Sequence, residues 1–451
     1  MKKNEIVTIE ITDLNSEGAG VGRIDGQVVF VPYALPNEIV ETLIIKVTKA
    51  YAIGKLQRII KASDKRINPE CPHFYKCGGC DYQHISYNDQ FEMKCASTIK
   101  NIQKLSHNKD INIKNAIGAD KIWNYRNKAQ YPVSTDKDGN VILGFFSPRS
   151  HRVVSIDRCI LQNEKCNSII ALIKQLVIKH NISIYNEVTH KGVLRHVIAR
   201  SGENELMVIL VTNQVERLPE IFVKSIAAEL PQITTLIQNI NTKKGNVILG
   251  NECITLYGNG YINESLCGVN FRLRPLAFLQ VNPPQAEKLY NTVLDFASLT
   301  GTEIVFDAYC GIGVMSLMLA KKSKKLIGVE IVSEAIEAAK ESAKINNITN
   351  AEFYVGACED VLPQLLKKGE KPDVLVVDPP RAGCEEALLK TIAENKIEKI
   401  IYVSCNPATL ARDIKTLNEL NYTCSDVVFV DMFCHTKHIE TVVMLTHKKL
   451  D

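Results

Sequence analysis

From Pro275 onward, apolar runs alternate with helix-length amphipathic ones, and the clearest apolar runs stop at residues that carry chemistry. Residues 304–306 run into Asp307, 326–329 into Glu330, 374–377 into Asp378, and 400–403, through Ser404, into Cys405. Short, continuously apolar strands separated by helices fit a doubly wound parallel sheet covered on both faces. Such a sheet binds its ligand outside the carboxyl ends of its strands, where the strand order reverses. The acids and the thiol are therefore expected to share one crevice.

The first of these turns reads Asp307-Ala308-Tyr309-Cys310-Gly311-Ile312-Gly313. Its glycines let the backbone approach a ligand, and Glu330 is placed to accept hydrogen bonds from ribose hydroxyls. An adenosine-containing cofactor is implied. The third glycine of the dinucleotide fingerprint is replaced by Ser316. The D-x-x-x-G-x-G form resembles class I S-adenosylmethionine methyltransferases, which makes hydride transfer the weaker reading. Asp378 opens a D-P-P turn similar to that of amino-directed methyltransferases, but Arg381 stands where those enzymes carry an aromatic. Methylation of an exocyclic amine is disfavoured.

The N-terminal part is organised differently. Up to about Lys61 the pattern alternates in period two, with turns at Gly18, Gly20, Gly22, Asp25-Gly26 and Pro36-Asn37, as in a small barrel. Its sequence resembles the TRAM domain, an OB-like barrel found on RNA-modifying enzymes, and such barrels bind nucleic-acid strands on one face. The resulting fold class is multidomain α/β. A TRAM-like barrel over 1–62 precedes a small mixed domain over 63–274, to which the cysteine cluster and the RNA-binding candidates below belong, and a Rossmann-like methyltransferase sheet over 275–451. A helix at about 87–105 is expected to pack on the catalytic domain.

No apolar run reaches the roughly 18 residues of a membrane span, and the start lacks a signal-peptide block. A cytoplasmic protein with no membrane association, acting as a monomer, is expected. The net charge of +4 is modest, yet residues 121–158 hold seven Lys and Arg against three Asp, a local excess as large as that of the whole chain. There Trp123, Tyr125, Tyr131, Phe145 and Phe146 interleave with Arg126, Lys128, Arg149 and Arg152. That combination could stack bases and contact phosphates, or it could be strand packing with a solvated basic face. Phe278 is a further candidate to face a target base.

Fourteen cysteines are too few for a disulfide scaffold, so metal ligation or catalysis is the better reading. Cys71, Cys77 and Cys80, with Gly78-Gly79 between the last two, form a triplet one ligand short of a closed site. Cys95, Cys159 and Cys166 could complete it, and zinc or a cubane cluster would suit the spacing. Cys310, in the glycine turn, is expected to lie beneath the cofactor.

Four stretches, "YVSCNPATLARDI", "DPPRAGC", "LAFLQVNPPQAEKLY" and "HIETVVML", look like the RNA uracil-5-methyltransferase family over nearly the whole chain. With the barrel, the chain resembles the branch that acts on 23S ribosomal RNA. The resemblance implies Cys405 as nucleophile and Glu440 as base, and Gln280, Tyr309, Glu330 and Asp378 as contacts to S-adenosyl-L-methionine. It also implies a 4Fe-4S cluster on Cys71, Cys77, Cys80 and Cys159. Val314 occupies a position that is Asn in some relatives, so a side-chain contact to the cofactor should be missing there. The chemistry gives the thiol a reason: carbon 5 of uracil is a poor nucleophile until a thiolate adds at carbon 6. A base must later remove the carbon 5 proton. The implied target is a uridine in a loop or single strand, since a stacked base must be flipped out. Two other readings are a tRNA uracil-5-methyltransferase and a non-catalytic iron–sulfur RNA-binding protein, which would be expected to lose the thiol or the carboxylate. Glu440 by itself could equally be a solvated strand edge.

Overall fold

The computed structural model describes residues 1–15 and 17–448. Ser16 and the last three residues, which fall within the expected units 1–62 and 275–451, lie outside the described residues. The first strands close a five-stranded barrel in the order Ile6–Leu14, Ala19–Ile24, Gln27–Pro32, Tyr51–Lys61, Ile39–Val47. Alternate residues such as Ile9, Ile11, Val29, Val31, Val40 and Ile44 fill it, as period-two patterning requires. Glu38, fully buried, ties the barrel to the segment that leaves it. Its carboxylate accepts the Arg66 guanidinium at 2.5 and 2.8 Å and the Leu35 N–H at 2.9 Å.

A seven-stranded mixed sheet occupies the middle of the chain, from Lys128–Thr135 to Glu252–Tyr257, with helices Glu164–Lys179 and Glu220–Glu229 contributing to its core. The catalytic sheet has eight strands in the order Ala351–Val355, Lys325–Glu330, Ile304–Ala308, Val374–Val377, Lys399–Ser404, Glu440–His447, Tyr422–Val430, Asn112–Ile117. Its apolar runs split residue by residue between two cores, Val374 and Val376 on one face, Leu375 and Val377 on the other. Burial on both faces explains why the strands lack alternation.

The boundary at residue 275 does not isolate this sheet, because its edge strand Asn112–Ile117 comes from the central segment and pairs parallel to Tyr422–Val430. That strand carries five exposed positions among six, so no apolar pattern announces it. Helix Tyr87–Ser106 does pack on the catalytic unit, against helix Pro407–Glu419. Its buried stripe is largely polar: Gln90, Lys94, Thr98, Ile102 and Ser106 at four-residue intervals. Among the described residues, no helix is long and apolar enough to cross a membrane.

Lys94 explains the polar stripe. Its ammonium donates to Asp431 Oδ1 at 2.7 Å and to the carbonyls of Phe433 and His438 at 3.1 and 3.2 Å, with both partners of the ion pair buried. Breaking a buried pair strands the remaining charge. Lys94→Met is expected to destabilise the protein by about 3–5 kcal/mol, read as a lowered urea midpoint.

Candidate active site

The parallel strands fill the sheet outward from Ile304–Ala308 and then return to its other side at Val374–Val377, so the switch point lies between the two. A cavity of about 1140 Å³ opens there. It is lined by all six residues singled out for catalysis and cofactor binding: Gln280, Tyr309, Glu330, Asp378, Cys405 and Glu440.

Strand Glu440–His447 runs antiparallel to its neighbour, with Thr441 opposite Ser404. Its first residue, Glu440, therefore stands at the edge where the parallel strands have their carboxyl ends, near enough to Cys405 for its charge to raise the thiol. Glu440 is 4% exposed, not a solvated strand edge. Burial, then the charge of Asp378, pushes its carboxyl up to about 8, against the opposing pull of Arg381. Asp378 is pushed up to about 7 by burial alone. Cys405 is half-buried, and burial, then the Glu440 charge, raises its thiol while Arg381 lowers it. Arg381, taken in the sequence only as a departure from an aromatic, is thus the cation facing both groups.

The turn around the thiol is tightly built. Asn406 caps helix Pro407–Glu419 by accepting the Ala408 N–H at 3.1 Å and donates to the Arg381 carbonyl at 2.9 Å. The same carbonyl accepts Thr409 Oγ1 at 3.3 Å. The S-C-N-P and D-P-P turns are thus locked together by two side chains at one helix start.

At the glycine turn, the Glu330 carboxylate accepts the N–H groups of Gly311 and Val332 at 3.2 and 3.0 Å. Gly313 has φ 81°, and a Cβ there would lie 2.8 Å from Ala339 Cβ, so only glycine fits between turn and helix. Asp307 is buried, and its carboxylate accepts the Ser316 hydroxyl; burial pushes it up to about 7. Cys310 lies buried in this turn.

The cysteine loop forms another wall of the same cavity through Gly78, Gly79, Asp81 and Arg126. Burial raises Cys77 to about 11 and Cys80 to about 12. Each of these thiols also feels its neighbours: Cys77 is opposed by Cys159 and Cys71, Cys80 by Cys159 and Cys77, and Cys159 by Cys71. Of the three candidates for a fourth ligand, Cys159 is the one whose charge bears on the triplet, and it packs in one cluster with Cys80. Cys166 points its thiol at the carbonyls of Asn127 and Ala199, and Cys95 packs against the catalytic core. Gly79 N–H donates to Cys77 Sγ at 3.4 Å and Gln83 Nε2 to Cys80 Sγ at 3.1 Å. The Arg126 guanidinium faces Cys80 and Cys159, and its Nε has no hydrogen-bond partner among the described residues. Donors and a cation directed at Cys77, Cys80 and Cys159 suit a centre whose sulfurs carry negative charge. Among the described residues, however, no three such side chains stand together as a ready metal-ligand group.

The loop also holds the segment that leads to Glu440. Asp81 and Tyr82 N–H groups donate to the His435 carbonyl at 2.8 and 3.1 Å, and Asp81 Oδ2 accepts the Lys437 N–H at 3.0 Å. Nothing in the spacing of Asp81 or Lys94 signals this. Of the aromatic and basic candidates, Tyr125 and Tyr131 are buried, and Phe145 packs on Tyr131 at 5.3 Å. Strand packing accounts for Tyr131 and Phe145, and Tyr125 packs with Leu161 and Cys434, its hydroxyl donating to the Cys434 carbonyl at 3.0 Å. Trp123 stacks on His435 at 3.6 Å, and Lys128 pairs in register with Arg200. Arg149 and Arg152 are exposed, and Phe278, at 70% exposure, lines the large cavity.

The family described as tRNA (Uracil-5-)-methyltransferase matches residues 86–448, and the TRAM domain matches residues 2–56. Among relatives, a protein of Clostridium tetani named "uncharacterized RNA methyltransferase" is 44% identical, covering 99% of this chain and 97% of its own. One of the same description from Halalkalibacterium halodurans is 43% identical over 99% and 98%. The crystal structure of Pyrococcus abyssi tRNA (uracil-54, C5)-methyltransferase in complex with S-adenosyl-L-homocysteine is similar with a TM-score of 0.78 and 28% identity. That likeness covers 98% of this chain and 100% of the other.

Proposed function

The chain belongs to the tRNA (uracil-5-)-methyltransferase family, and from that premise we propose that it transfers a methyl group from S-adenosyl-L-methionine to carbon 5 of a uridine in 23S ribosomal RNA. The observation that carries this reading is that Cys405 and a buried Glu440 share the wall of the switch-point cavity, the charge of one bearing on the other. Gln280, Tyr309, Glu330 and Asp378 line the same cavity and hold the cofactor, which supplies the methyl as a sulfonium. The Cys405 thiolate adds to carbon 6 of the uracil, and the pair of electrons released onto the ring makes carbon 5 nucleophilic. Once carbon 5 carries the methyl, Glu440 takes the proton from it; the electrons of that C–H bond restore the double bond and expel the thiolate from carbon 6. Both catalytic groups end as they began, save for the proton that Glu440 must pass to solvent.

The barrel is the proposed RNA-binding module. It does not by itself separate ribosomal from transfer RNA, because the likeness to the Pyrococcus tRNA enzyme extends over 98% of this chain and so takes in the barrel. That observation keeps a tRNA uridine as the second reading. The deciding experiment supplies labelled S-adenosylmethionine with unmodified large-subunit RNA and, separately, unmodified tRNA, then maps the label by nuclease digestion and mass spectrometry. Label on carbon 5 of a ribosomal uridine supports the proposal. Label on tRNA alone moves the substrate, and transfer to neither overturns the enzymatic reading.

Cys71, Cys77, Cys80 and Cys159 are proposed to hold a 4Fe-4S cluster, with Gln83, Gly79 and Arg126 offsetting its charge. Methylation at carbon 5 requires no electron, so the cluster would serve to stiffen the loop that walls the cavity. After anaerobic reconstitution with iron and sulfide, the wild-type protein is expected to bind about four irons and absorb broadly near 400 nm. Cys77→Ser should lose most of that absorbance, while Cys166→Ser keeps it.

A further inference from the structure

A second cavity, of about 440 Å³, meets the first at the thiol turn. The two share Arg381, Cys405, Lys437 and His438, so Cys405 stands in the wall between them. The second cavity runs away from the cofactor side, between helix Tyr87–Ser106, the start of helix Pro407–Glu419 and the barrel residue Glu17. Its size falls within the roughly 300–1,000 Å³ range of small-ligand sites.

Lys94 and Asn406 in its wall are already engaged, but one flank is polar and uncommitted. Ser97, Thr98 and Asn101 present a row of hydroxyls and an amide along one flank. No side-chain hydrogen bond joins any of the three to the described protein, so their polar atoms are open to the cavity. Arg381 is also free of an acidic partner within salt-bridge distance among the described residues, while its carbonyl is held by Asn406 and Thr409. At the rim, Lys437 is paired with Glu17 of the barrel, an exposed contact that an RNA phosphate could displace.

A uridine held against Cys405 is covalently joined to its neighbours, so a pocket that opens from the thiol on the barrel side is the next space along the strand. Resting on the uracil-methyltransferase reading, we propose that this cavity is a subsite for the nucleotide adjoining the target uridine. Ser97, Thr98 and Asn101 hydrogen-bond the edge of its base, and Arg381 contacts the phosphate linking it to the target. The enzyme then reads sequence context beside the uridine as well as the uracil itself, which a flipped-base pocket alone does not do.

The test is a double-mutant cycle between protein and RNA, using the full chain and a short synthetic RNA spanning the mapped uridine. One arm compares wild type with Thr98→Val/Asn101→Leu, chosen to keep shape while removing the hydrogen-bonding groups. The other compares the natural RNA with versions abasic at either nucleotide flanking the uridine. Each change is expected to lower kcat/KM for RNA by about tenfold or more, with KM for S-adenosylmethionine unchanged and thermal unfolding within a few degrees of wild type. On the abasic RNA of one side, the double variant should cost nothing further. Losses that multiply overturn the subsite, as does an unaffected rate with the variant or with both abasic RNAs. If Thr98→Val/Asn101→Leu unfolds, Asn101→Ala alone enters the same cycle. Absence of methylation by the wild-type protein would instead sink the underlying reading of the enzyme.

Discussion

Cys405→Ala is expected to lower the methylation rate by about 10⁴-fold or more, the scale on which removing a nucleophile acts, while leaving S-adenosylhomocysteine binding intact. The loss should be total for the covalent step. RNA carrying 5-fluorouridine at the target should trap wild-type protein as an adduct stable on a denaturing gel, since fluorine cannot leave as a proton does. The Ala variant should give no such band. Rescue by another thiol is not expected. Cys358 also lines the large cavity, but burial, opposed only in part by backbone donation, pushes it up to about 12. Cys310, buried in the glycine turn, is likewise raised, by burial and by Asp307 and Glu330. Of these three thiols, Cys405 alone has a cation, Arg381, lowering it, which favours a thiolate. A Cys405→Ala enzyme that still transferred the methyl would remove the covalent route altogether.

The parts of this site legible in the sequence are those that a parallel sheet exposes by construction. Asp307, Glu330, Asp378 and Cys405 each end or follow an apolar run, and the carboxyl edge gathers such residues irrespective of their distance along the chain. Glu440 is less legible, since the start of a strand looks like a solvated edge. What buries it is strand direction: antiparallel insertion beside Lys399–Ser404 brings a strand's beginning to the others' ends. No local pattern encodes that. The strand Asn112–Ile117 is invisible in the sequence for the opposite reason. It lies at the sheet edge with mostly exposed side chains, placed by backbone pairing together with Ile117 packing on the core and Lys114 reaching Asp426. The polar residues that fix the catalytic segment, Gln90, Lys94 and Asp81, reach partners more than 300 positions away. They belong to a buried network whose meaning exists only once the chain is folded.

Glu440→Gln is expected to reverse the order of what is slow. Adduct formation and methyl transfer should survive, but the methylated adduct should persist, because nothing removes the carbon 5 proton; product release should fall by about 10²–10⁴-fold. On unmodified RNA the Gln variant should therefore show the covalent band that the wild type shows only with 5-fluorouridine. The pH dependence carries the same signature. The Glu440 carboxyl, pushed up to about 8, is mostly protonated at pH 6 and gains its base form as pH rises through 8, so wild-type product release should climb over that interval. At pH 6 the wild type should begin to stall as adduct, resembling the variant. Cys405 shifts the other way on substitution. The charge of Glu440 is, after burial, the main influence raising the thiol, and Gln removes it, so adduct formation by the variant should reach its plateau at lower pH than in the wild type. Arg381 and Asp378 face both groups and remain in place. Single-turnover rates from pH 6 to 9, with adduct and free product quantified separately, measure both shifts. A Gln variant that releases product at the wild-type rate would transfer the role of base to another group on the cavity wall.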